Sequence, residues 1–187
     1  MKRRVPLSAA QEASFAMARA LVVLERWKKV SPEALGFDRW MLVDFGVQFP
    51  HVAVELVPTL SLIMRGHGLA GADLSELFAR RRFGTVRETF AGAVSSLLAR
   101  DLCEEVDVND GAPAFRLVAA GESMSSQLTS SYAFAVRAMA DALCDAWKRR
   151  NPKEVMRTLG QKIPDQALSL ASVLSPFSEW LVEAHRG

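Results

Sequence analysis

TVRETFAGAVSSLLARDLCEEVDVNDGAPAFRLV, residues 85–118, decides the fold. Thr85 is a capping residue, and Val86, Phe90, Val94, Leu97 and Leu98 recur at three- and four-residue steps. That spacing predicts a helix to about Asp101 with one buried stripe. Leu102 to Val108 partly alternates, with Val106 and Val108 on one face. Asn109, Asp110 and Gly111 carry a turn signal, and Ala114 to Val118 returns as a second strand with Phe115 and Leu117. Upstream, Asp73 to Arg82 reads as a short helix broken at Gly84. Helix, tight turn, helix and two-stranded hairpin follow the order of a winged helix-turn-helix.

The flanks read as helix. Ser8 and Gln11 have the form of a capping box, and 9–29 continues as a helix whose apolar residues cover more than one face. Ser31 and Pro32 end it. Phe37 to Phe49, with Asp38 as its cap, has only Asp38, Arg39, Asp44 and Gln48 as polar residues, so it is expected to be buried; Pro50 ends it. Val52 to Leu56 and Leu60 to Met64 are short apolar runs that fit strand or helix equally. After Ala119 the chain is helical again. Tyr132, Val136, Met139, Leu143 and Trp147 form a stripe, and Arg137 with Asp141 and Asp145 with Arg149 have the spacing of pairs on the outer face. Asn151 and Pro152 break this helix. Residues 165–173 and 176–185 read as two terminal helices, the second started by Ser175 and Pro176. The expected fold is mainly α with a small β-hairpin, one compact domain over 1–187. It comprises N-terminal helices (8–50), a winged-helix core (73–118) and a C-terminal helical part (119–187).

Composition narrows the function. Lys and Arg number 23 against 21 Asp and Glu, a net charge of +2, less basic than a protein held on DNA by bulk charge. Cys103 and Cys144 stand far apart without CxxC spacing, as in a reducing cytoplasm. Gln11, Glu12 and Arg19 interrupt what would be the apolar part of a signal peptide after MKRR. The run Ala20 to Leu24 is far short of the roughly 20 residues that span a bilayer. A soluble, cytoplasmic protein is expected.

Catalytic and cofactor patterns are weak. GHGLAG, 66–71, matches GxGxxG in form, but a helix rather than a second strand is expected downstream, so no strand would present the acid a dinucleotide site needs. His51, His67 and His185 lack metal-ligand spacing. No GxSxG, HExxH or phosphate-binding GKS/GKT motif occurs. Asp44 reads as a hydrogen-bonded structural carboxylate, capping a neighbour or pairing with an arginine, or else as a buried acid of raised pKa. The expectation is a non-enzyme without cofactor or metal.

The helix over 85–101 turns Arg87, Glu88, Ala91, Ser95 and Ser96 outward, poor material for reading base edges. From Asp101 to Asp110 the hairpin holds Asp101, Glu104, Glu105, Asp107 and Asp110 and no lysine or arginine, a surface that phosphates would repel. Arg80, Arg81, Arg82 and Arg87 are candidate contacts to a partner or to phosphate, as is the Lys2, Arg3, Arg4 cluster. Trp27, Trp40, Trp147 and Trp180, one per main helix, are candidate interface aromatics. These residues favour protein docking over sequence reading.

FDRWMLVDFGVQFP, 37–50, resembles the early helix of the middle-component proteins of ABC-three-component systems. There an arginine is followed by an apolar stretch and an Asp–aromatic pair, here Arg39, Asp44 and Phe45. LLARDLCEEV, 97–106, followed by AFRLVAAGESMSSQL, 114–128, is similar to the winged-helix half of that family. The family's Gly- and Pro-rich loop corresponds to GHGLAG, which lacks the prolines. The resemblance implies a non-catalytic subunit bridging an SMC- or Rad50-like ATPase and an effector nuclease, as in Lamassu-type antiphage defence. The alternative is a winged-helix transcriptional regulator of PadR or MarR type, dimerising through the helix 132–148.

Overall fold

A computed structural model describes residues 9–69, 83–106 and 113–162. The capping box at Ser8, the short helix expected over 73–82 and the two terminal helices expected beyond 164 lie outside the described residues. Helix α1, Ala9–Val30, forms the axis. Ala20, Leu21, Val22, Val23 and Leu24 are all buried in succession, which a helix achieves only when surrounded. Its neighbours are α2 (Phe37–Gln48), α5 (Phe83–Leu98), α6 (Ala119–Ser126), α7 (Ser131–Trp147) and strand β3 (Ala114–Leu117).

Two further strands complete a small antiparallel sheet of order β1-β3-β2. β2 is Cys103–Val106, and it pairs with β3 from Cys103↔Leu117 to Val106↔Ala114, as the alternation predicts. β1, Leu35–Gly36, is a strand that the sequence reading missed. Its two residues pair with Phe115 and Ala114, and two residues carry no alternation to detect. Gly36 also occupies the N-cap of α2 in an extended conformation, the place expected for Asp38; the Phe37 amide bonds the Pro113 carbonyl at 3.0 Å. Asp38 falls in the first turn instead, where a carboxylate favours the helix dipole.

The ambiguous stretch after Pro50 is helix and turn. α3 is Pro50–Ala53 and α4 is Leu60–Gly66. α5 begins at Phe83, so Gly84, expected to separate two helices, and Thr85, expected to cap this one, both lie inside its first turn. An interior glycine costs about 1 kcal/mol, less than burying a single large side chain such as Phe90 returns. α5 ends at Leu98, three residues before the expected end. Asp101 takes a left-handed conformation (φ 54°), its amide bonding Leu98 O and the Leu102 amide bonding Leu97 O, a Schellman closure.

The segment after Ala119 divides into α6 and α7. Ser130 caps α7 by accepting from the Ala133 amide at 3.1 Å. α8, Pro152–Lys162, follows and packs on α2. Val136, Met139, Leu143 and Trp147 are buried within the chain, as the stripe predicts, whereas Tyr132 is exposed. The apolar stripe of α7 from Val136 onward is therefore spent within the chain. The outer-face pairs also differ from expectation. Asp141 binds Arg26 of α1, Arg137 binds Glu25 of α1 and the Leu128 carbonyl, and Asp145 binds Lys148. For Arg137 and Asp141, contacts with α1 displaced the pairing along one helix. The result is a mainly helical fold around a three-stranded antiparallel sheet.

Candidate interaction surface

The surface formed by α5 and the two longer strands begins with what lies beneath it. Phe37 and Trp40 of α2, Phe90 of α5 and Phe115 of β3 stack edge-on or tilted, with ring centroids 5.3 to 6.3 Å apart. This cluster locks the helix to the sheet. Phe90, Ala93, Val94 and Leu97 therefore point inward, and Arg87, Glu88, Thr89, Gly92, Ser95 and Ser96 are exposed. The Ser96 hydroxyl turns back to its own helix, donating to Gly92 O at 2.8 Å. On β2, Glu104 and Glu105 are both exposed, with Asp101 exposed on the approach. Arg116 on β3 stands directly opposite Glu104, a neighbour that a reading confined to 101–110 missed. Asp107 and Asp110 lie outside the described residues.

Beside this surface, a groove of about 210 Å³ runs between the end of α1 and β3. Leu24, Trp27, Phe115 and Leu117 help to line it, with Lys28, Glu33 and Arg116 among its polar residues. Lys28 is engaged by Glu122 of α6.

The tryptophans require a correction. Trp27, Trp40 and Trp147 are 2%, 0% and 1% exposed, so none of the three reaches a partner. Trp27 Nε1 donates to Glu33 O at 2.9 Å and Trp40 Nε1 to Ala20 O at 3.0 Å, which makes burial of an indole cheap. Trp180 and Arg80, Arg81 and Arg82 lie outside the described residues. Arg87 is exposed on α5, two residues from the aromatic cluster's Thr89–Phe90 turn.

The remaining chemistry is structural. Asp44 accepts from Arg19 Nε at 2.7 Å and from Nη2 at 3.1 Å, a buried bidentate pair with Gln48 beside it at 3.4 Å. Burial pushes the Asp44 carboxyl above its usual range, and the Arg19 charge and hydrogen bonds oppose the rise. For Arg19 burial acts downward, but Asp44 outweighs it and holds the guanidinium above its ordinary value. Burial pushes the Cys103 thiol up to about 11 and the Cys144 thiol up to about 12, far from a nucleophilic thiolate. Among the described residues no group of three or more His, Cys, Asp or Glu could hold a metal. The LSLIM run before GHGLAG is helix α4, so the strand of a dinucleotide site is missing there. Gly68 (φ 70°) closes that helix, with the Leu69 amide on Met64 O at 2.7 Å.

No protein-family model, curated protein or solved structure matches the chain. Its surface must be read from its own residues. Among those described, no helix is long and apolar enough to cross a membrane.

Proposed function

We propose that this chain is a non-catalytic assembly subunit whose α5–β2–β3 surface, built on a winged-helix plan, docks protein partners rather than reading DNA. One observation carries the reading. Glu104 and Glu105 are both exposed on β2, one on each face of the strand, with Asp101 at the turn before them, on the hairpin with which a winged helix would grip a duplex. The strand order β1-β3-β2, with the helix α5 feeding the hairpin, supports the winged-helix plan. The exposed face of α5 supports docking, since Arg87 is followed at once by Glu88 and then by small residues.

The resemblance to middle components of ABC-three-component systems supplies the partners: an SMC- or Rad50-like ATPase and an effector nuclease in an antiphage complex in the cytoplasm. The subunit bridges the two and holds the effector inactive until the ATPase engages foreign DNA. Co-expression with the ATPase and effector encoded beside it is expected to yield one complex by size-exclusion chromatography, weakened by Glu104→Lys with Glu105→Lys. Elution of this chain alone at every salt concentration would sink the reading. A duplex from its own operon is expected to bind no better than a scrambled one; a marked preference would favour the regulator instead.

A further inference from the structure

The cations of α1 and those at the corner between α7 and α8 differ in how they are paired. Those of α1 are neutralised: Arg19 by Asp44, Arg26 by Asp141, Lys28 by Glu122 and Lys29 by Glu25. At the corner between α7 and α8, among the described residues, only Lys148 has a carboxylate ion pair. Residues 145–157, DAWKRRNPKEVMR, hold five cations against two carboxylates, a net charge of +3 in a chain of net +2. Asp145 pairs with Lys148 at 2.6 Å and also feels the charge of Arg149. Among the described residues, no carboxylate forms an ion pair with Arg149, Arg150, Lys153 or Arg157.

The corner is built rather than frayed. α8 buries Val155, Met156 and Leu159, which leaves Arg157 exposed and Lys153 half-buried one turn before it. Side chains four apart on a helix lie about 5–6 Å from each other. Asn151 Oδ1 accepts from the Lys153 amide at 2.9 Å and fixes the start of α8. Arg39 of α2 donates from Nη2 to the Arg150 carbonyl at 3.1 Å while stacking 5.5 Å over the Trp27 ring, tying the corner to the core. Arg149 and Arg150 lie in the short link between α7 and α8, and Lys153 and Arg157 follow on α8.

We propose that this corner binds the phosphate backbone of duplex nucleic acid without reading its sequence. Three of the four cations are arginines, whose planar fork suits phosphate oxygens. A membrane surface fits less well, because the large exposed apolar residues (Phe15, Leu62, Met124, Tyr132 and Phe134) all lie outside 145–157. The corner belongs to α7 and α8, and α8 packs on α2; the acidic strand β2 packs on β3 and α5. Duplex binding here does not depend on the docking role of the hairpin, and either can fail without the other.

The test uses the full chain and a short labelled duplex of random sequence, read by fluorescence anisotropy. Three to four phosphate contacts give a slope of log K against log salt of about −3, or roughly a 60-fold loss between about 50 and 200 mM salt. Arg150→Glu with Arg157→Glu is expected to weaken binding more than ten-fold, roughly the loss of two phosphate contacts and the gain of two repulsions. Both side chains are exposed, and an unchanged thermal melt verifies the fold. Glu104→Gln with Glu105→Gln should leave the slope unchanged. No binding at low salt, or binding indifferent to the reversal, overturns the proposal. So does equal binding to phosphatidylserine vesicles or to poly-glutamate.

Discussion

Asp44 sits in an almost wholly apolar helix, and only its partner explains it. The bidentate contact to Arg19 joins α1 to α2 where both are buried, so removing either half strands a charge. Asp44→Ala is expected to destabilise the fold by about 3–5 kcal/mol in denaturant unfolding, whereas Arg19→Met with Asp44→Leu should recover most of that loss. If the double variant is no more stable than the single, the stranded charge is not the cause. Glu25 is a hub of a different kind. It accepts from Ser125 Oγ at 2.9 Å and pairs with Lys29 and Arg137 at 3.1 and 3.4 Å. Burial acts to raise its pKa, but the hydrogen bonds and nearby cations win and hold it below the ordinary glutamate value. A depressed carboxyl stabilises the fold above its unfolded pKa and stops doing so as pH falls through the folded one. Glu25→Gln should therefore lower Tm near neutrality and converge with wild type below about pH 4. A constant gap in Tm across that range would exclude the linkage.

Elements meet here at points where a side chain has no room. The helix that follows β3, α6, meets the link between α5 and β2 at Gly121. A Cβ there would be driven into the Leu102 carbonyl oxygen and would lie 2.7 Å from Leu117 Cδ1. Leu102 is in turn positioned by the left-handed turn at Asp101, so α6, β2 and β3 share one constraint. Gly121→Ala is expected to cost about 2–3 kcal/mol by overpacking, where a helical Gly→Ala change would ordinarily stabilise. A rise in unfolding free energy would show that α6 does not approach so closely. Gly46 plays a milder part at the α2–α7 crossing, where a Cβ would meet Leu143 and Trp147 at 3.0 Å.

On the scale of the molecule, both cysteines report on global opening. Cys103 is buried on β2 and Cys144 on α7, and burial has raised both thiols far above neutral pH. Their reaction with a thiol reagent at neutral pH is expected to follow the unfolding rate, with both modified in one phase. A fast phase for one thiol in native buffer would place that element in a separately opening unit. The charge distribution has the same breadth. The corner at 145–157 is net positive, while the chain as a whole is nearly neutral.

Periodicity in the sequence determined the helical character and the hairpin, and residue type its exposed glutamates. It also showed that α1 and α2 are buried. These follow from residue type and spacing, which act over a few neighbours along the chain. Trp27, Trp40 and Trp147 were candidates for an interface because composition does not distinguish a buried indole from one facing a partner; Trp27 and Trp40 have internal acceptors, and Trp147 is enclosed by the core. The Arg137–Asp141 spacing was likewise true of the helix alone; α1 offered each a better-buried partner. β1 exists only because Phe115 and Ala114 are already in place to pair with it. Which cations would be neutralised, and which left free at the α7–α8 corner, depended on carboxylates distant in sequence. Electrostatic pairing is set by proximity in space, and only the tertiary structure decides that.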